Sequence, residues 1–160
     1  MIAPVLRITK TRYAWVGVFL VAFATASIAT RFQDNFVPDD IHFLWQCISG
    51  SILLFALCYQ WYLMRKRWIG QMTRNDIVLH RWMGVTAVFL FALHAPRIGH
   101  TWMAAITIIF VLIALTGIFN KEVLRFKTRR AYLIWLALHI GLSVAIAPLI
   151  AVHIWVALSY

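Results

Sequence analysis

Five apolar runs, each close to the roughly 20 residues a helix needs to cross a bilayer, leave this chain little choice of fold. They cover approximately residues 13–30, 41–64, 77–96, 101–119 and 131–159. In hydrocarbon every backbone N–H and C=O must find a partner within the protein, and a helix provides those partners inside one segment. Composition agrees: 63% of the 160 residues are hydrophobic and 12% charged, where a soluble domain has about half and about a quarter. The expectation is an all-α integral membrane protein with five transmembrane helices, a single domain over residues 1–160. Ala24-Thr25-Ala26 in the first run resembles a leader cleavage site. The apolar stretch around it is longer than a signal-peptide core, so it is read as a retained helix.

A net charge of +10 would suggest nucleic acid in a soluble protein. Here the basic residues lie between the apolar runs, where membrane topology explains them, and no nucleic-acid partner is expected. Arg7, Lys10 and Arg12 precede the first span; Arg65, Lys66, Arg67 and Arg74 fill the second connection; Lys121, Arg125, Lys127, Arg129 and Arg130 fill the fourth. The first connection instead carries Asp34, Asp39 and Asp40 against Arg31, and the third has only Arg97. Positive-inside counting then places the N-terminus and the second and fourth connections in the cytoplasm, and Tyr160 on the outer side. The expected setting is a bacterial-type inner (plasma) membrane, with lipid as the surrounding partner. Trp68, Trp102 and Trp155 near span ends fit an interfacial aromatic belt. Cys47 and Cys58 lie in one run, about 16 Å apart along a helix, too far for a disulfide. No C-x-x-C-H motif supports covalent c-type haem attachment.

Ionisable side chains are costly inside a membrane and mark function there. Away from the span ends only His80, Arg81, His94, His139 and His153 stand out. His80 and His94 are 14 residues apart in the third span, and His139 and His153 are also 14 apart in the fifth. Fourteen steps return to within roughly 40° of the starting face and climb about 21 Å. The topology makes these two spans parallel. His80 is then expected to face His139 near the cytoplasmic side, and His94 to face His153 near the outer side. Two stacked bis-imidazole sites suit haem iron, with apolar porphyrin filling the gap between helices. The faces between the ligands read His80, Gly84, Ala87, Phe91, His94 and His139, Ser143, Ile146, Ile150, His153. Gly84 and Ser143 are small enough for a ring to approach, and Pro148 is expected to bend the fifth span.

A lone transmembrane histidine more often makes an interhelical hydrogen bond than ligates a metal; two equally spaced pairs on parallel helices argue against that use. Zinc would need more donors, and no carboxylate or cysteine joins these histidines. Chlorophyll needs one histidine per pigment and gives no reason for facing pairs. Arg81 beside an inner ligand, and Arg97 and His100 at the outer boundary, are candidates to meet propionates or a quinone headgroup. His42 at the outer end of the second span is a weaker one. No catalytic residue is assigned.

With "LHRWMG", "FALHAP", "LALHIG" and "AVHIWV" around the four histidines, the chain resembles diheme transmembrane b-type cytochromes. The architecture it is most similar to is the ferric reductase-like transmembrane domain of ferric reductases, NADPH oxidases and the haem subunit of the bacterial methionine sulfoxide reductase system. Cytochrome b561-like and respiratory cytochrome b families come second. The resemblance implies two haem b groups, ligands on the third and fifth helices, and a cytoplasmic N-terminus. Members of that family often have a sixth helix, and its oxidoreductases carry a flavin and nicotinamide domain; here the chain stops after the fifth span and has no G-x-G-x-x-G loop. The expected function is transmembrane electron transfer as the cytochrome subunit of a larger oxidoreductase complex. Electrons would be exchanged with other subunits, a quinone or a soluble carrier. The alternatives are a self-contained quinol-oxidising or ferric-reductase-like cytochrome near Arg97 and His100, and a pigment-binding or structural small subunit of a membrane complex.

Overall fold

A computed structural model of the protein describes residues 12–30, 37–95 and 101–159. Every described element is a helix: α1 Arg12–Thr30, a single 3₁₀ turn Asp39–Ile41, α2 His42–Trp68, α3 Arg74–His94, α4 Trp102–Ile118, α5 Lys121–Leu124 and α6 Arg129–Ser159. Four of them (α1, α2, α3 and α6) are long and apolar enough to cross a membrane, and α4 is a shorter apolar helix of 17 residues. Large apolar side chains stand exposed along them, including Phe19, Phe55, Ile134 and Leu158. Outward apolar faces of this extent are what lipid contact requires of a multi-pass membrane protein.

The helices keep the expected order and differ from the apolar runs at their ends. α2 continues past the run through Arg65, Lys66 and Arg67, which form its last turn. Basic side chains there oppose the partial negative charge of the helix C-terminus, and their stems can lie along apolar surface while the charges reach water. α3 begins at Arg74, ahead of its apolar run, because Thr73 and Asp76 form a capping box. The Asp76 carboxylate also accepts from the Lys66 ammonium at 2.7 Å, tying the end of α2 to the start of α3. The turn between them passes through Gly70 at φ +72°, a left-handed conformation that glycine adopts without a Cβ clash. α6 runs unbroken from Arg129 to Ser159 through Pro148.

Contacts divide the chain into two compact units, Val16–Arg97 on one hand and Met1–Trp15 with Ile98–Tyr160 on the other. In the first, α2 and α3 pack as an antiparallel pair. Trp45 Nε1 donates to the Leu93 carbonyl at 3.0 Å near one end, Gln60 Nε2 donates to the His80 carbonyl at 2.9 Å further along, and Lys66 meets Asp76 at the other end. Between these ties Leu53, Ala56 and Leu63 of α2 and Ala87, Val88 and Phe91 of α3 are buried.

In the second unit α4 packs against α6, also antiparallel: Trp102 lies beside His153 at one end, and Trp135 Nε1 donates to the Thr116 carbonyl at 2.9 Å toward the other. Asn120 organises the turn after α4. Its Oδ1 accepts from the Glu122 N–H at 2.9 Å and caps the short α5, a helix the apolar pattern does not announce. Its Nδ2 donates to the Tyr13 hydroxyl at 2.7 Å and to the Gly117 carbonyl at 3.1 Å. Arg125 in a left-handed conformation ends α5, and Phe126 then joins Tyr132 and Trp135 in an aromatic cluster.

Candidate functional site

Both members of each equally spaced histidine pair lie in one continuous helix, His80 and His94 in α3 and His139 and His153 in α6. Each helix shelters the face that carries them. Along α3 the positions His80, Gly84, Ala87, Phe91 and His94 are buried or half-buried, and so are His139, Ser143, Ile146, Ile150 and His153 along α6. His80 and His94 belong to the first compact unit, and His139 and His153 to the second.

His94 is seated against α2. Its Nδ1 lies 3.2 Å from the Ser49 hydroxyl, which in turn donates to the Trp45 carbonyl of its own helix at 2.7 Å. The residue after Ser49 is Gly50, and a Cβ there would fall 2.7 Å from His94 Cε1, well inside van der Waals contact. Glycine at this position is what lets the imidazole lie against the helix backbone. The Trp45 indole, bonded to the Leu93 carbonyl, fixes the adjacent turn of α3.

His139 is seated against α4 in the same manner. Its Nδ1 lies 2.8 Å from the Thr116 hydroxyl, and that hydroxyl bonds back to the Leu112 and Ile113 carbonyls at 2.8 and 2.9 Å. The following residue is again a glycine, Gly117, whose Cβ would sit 3.5 Å from His139 Cε1, an ordinary contact. Trp135, one turn earlier on α6, stacks on the His139 ring with centroids 5.8 Å apart and planes 7° from parallel. Because the Trp135 indole also bonds the Thr116 carbonyl, one residue of α4 anchors both rings.

The other two histidines have different surroundings. Gln60 Nε2 holds the His80 backbone carbonyl, while Gln60 Oε1 is buried with no hydrogen-bond partner among the described residues. His153 lies 5.6 Å from the Trp102 ring, tilted by 50°. The small residues expected to admit a flat ring leave room: a Cβ at Gly84 would meet only Gln60 Nε2, at 3.9 Å. The Ser143 hydroxyl is turned onto the His139 carbonyl at 2.7 Å, so this face of α6 offers no outward hydroxyl proton. Arg81 is half-buried beside His80 on α3. Arg97 and His100 lie outside the described residues. Cys47 and Cys58 are free thiols, and among the described residues no three His, Cys, Asp or Glu side chains are grouped to hold a metal ion.

Ser49, Gly50, Thr116 and Gly117 are absent from the set that sequence reasoning singles out. Their signal is nonetheless present: a hydroxyl residue followed by glycine occurs in each of the two apolar runs, residues 41–64 and 101–119, that pack on the histidine-bearing helices. Among known proteins, the chain matches no protein-family model, no curated protein and no solved structure.

Proposed function

We propose that this chain is a diheme transmembrane cytochrome of b type, carrying electrons across a membrane as one subunit of a larger oxidoreductase or electron-transfer complex. The observation that carries this reading is the pair of equal histidine spacings on two continuous apolar helices, each helix sheltering the face with its two imidazoles. The donor chemistry fits: imidazoles on sheltered faces of apolar helices, two of them held at Nδ1 by a hydroxyl, the kind of outer contact that orients an iron-ligating histidine. His80 and His139 would hold the inner haem, His94 and His153 the outer. Haem iron, when bound, supplies a one-electron carrier at each level.

The chain's own residues would supply imidazole ligands to the iron, exclude water with the apolar residues between them, and place cationic groups near the propionates. Arg81 serves the inner side in this scheme, and Arg97 and His100 the outer side or a quinone headgroup. Five spans complete the arrangement, with α4 the shortest. At about 1.5 Å per residue its 17 residues reach about 26 Å, within what local thinning of a bilayer accommodates. The charge asymmetry of the connections supports a cytoplasmic N-terminus in this reading, and the membrane we propose is a bacterial-type inner membrane. Exchange partners are other subunits, a quinone or a soluble carrier, and the ligand layout follows the ferric reductase-like transmembrane domain.

Purified in mild detergent, the protein is expected to carry about two non-covalent haems per chain and to show b-type bands in a reduced-minus-oxidised spectrum. A folded, membrane-inserted preparation that takes up no haem would overturn the proposal in favour of a structural or pigment-binding subunit.

A further inference from the structure

We infer that Ser49 and Thr116 are positioning residues that lock His94 and His139 into the tautomer protonated at Nδ1, leaving Nε2 as the basic nitrogen. A hydroxyl has one proton. The Ser49 oxygen lies 2.7 Å from the Trp45 carbonyl oxygen, and the Thr116 oxygen lies 2.8 Å from that of Leu112. Two oxygens this close repel unless a proton lies between them, and a carbonyl has none to give. Each hydroxyl proton is therefore committed to its own helix. Toward the histidine only a lone pair remains, so at both seats Nδ1–H donates and the hydroxyl accepts. The reverse tautomer would require the hydroxyl to abandon its carbonyl while staying within the same distance of it.

A glycine follows each hydroxyl, and at His94 it is required. Gly50 lets the His94 ring come within reach of Ser49, and Gly117 leaves ordinary contact space beside the His139 ring. The two compact units thus carry the same unit of construction, a hydroxyl–glycine step on the helix packed against a histidine helix. It occurs once in each proposed haem site, on His94 for the outer and on His139 for the inner. Its consequence for ligation rests on the function proposed above: iron is bound through an unprotonated nitrogen, and a ligand imidazole that donates from its other nitrogen is more electron-rich and favours the oxidised metal.

The test uses the full chain, labelled with ¹⁵N-histidine, in lipid bilayers. In haem-free protein, solid-state NMR should show the His94 and His139 rings protonated at Nδ1 and unprotonated at Nε2. Ser49→Ala should move only the His94 signals, and Thr116→Val only those of His139, toward protonation at Nε2. Ser49→Thr and Thr116→Ser keep the hydroxyl and should preserve the wild-type tautomers, which separates the effect from general disruption. In haem-loaded protein Ser49→Ala and Thr116→Val should each raise the reduction potential of one haem and leave the other in place. Protonation at Nε2 of the wild-type rings, or tautomers and potentials unmoved by Ser49→Ala and Thr116→Val, would overturn the inference. Correct tautomers in a chain that binds no haem would sustain it while removing the cytochrome reading.

Discussion

Replacing His94 with alanine is expected to lower the haem content from about two per chain to about one, with the remaining haem spectrally unchanged. His153→Ala should give the same product, because both would serve the outer haem. His80→Ala and His139→Ala should each remove the other haem. The fold should survive these changes. Among the contacts His94→Ala removes, the hydrogen bond to Ser49 is worth about 1 kcal/mol net, against a total stability on the order of 5–15 kcal/mol for a typical protein. Under the proposed ligation the loss of an iron ligand would be the larger consequence by far, since a haem left with one imidazole would be weakly held. Quantifying haem against protein for the four single variants reads the pairing directly. Equal loss of both haems from His94→Ala would contradict it, and so would His94→Ala resembling His80→Ala.

Gly50→Ala is expected to act on the same outer haem without touching a ligand. The new Cβ would fall 2.7 Å from His94 Cε1, where carbon atoms prefer about 3.5–4.0 Å. The ring must swing away by about 1 Å, leaving the Ser49 hydroxyl, or the two helices must separate at a cost of about 1–3 kcal/mol. Either response should disturb the haem that His94 is proposed to hold, seen as its loss or as an altered low-spin spectrum. Gly117→Ala is the internal control. Its Cβ would make ordinary contact at 3.5 Å with His139 Cε1, so haem content should stay close to wild type. If Gly50→Ala retains both haems unaltered, the close seat of His94 is not needed for ligation.

The helices are legible in the sequence because lipid, as solvent, forces apolar runs to be helical and of a certain length. Their ends are less so. Where α2 stops and α3 begins depends on Arg65–Arg67 at a helix terminus and on the Thr73–Asp76 box, polar features outside the apolar pattern. The short α5 depends on one Asn120 cap. The same division holds within the site. Two histidines 14 residues apart on one helix form a local pattern, fixed by helical geometry alone. The partner that holds His94 lies 45 residues away in the chain, and the one that holds His139 lies 23 away. Those seats emerge only when α2 packs on α3 and α4 on α6, though a Ser-Gly and a Thr-Gly step in the right spans leave a trace of them.

The most direct measurement is of the axial ligands themselves. Near-infrared magnetic circular dichroism and electron paramagnetic resonance of the oxidised, haem-loaded protein should both report two low-spin ferric centres, each with two imidazole ligands. A single centre, a five-coordinate high-spin iron, or ligation by methionine or cysteine in the wild-type protein would contradict the proposed diheme arrangement.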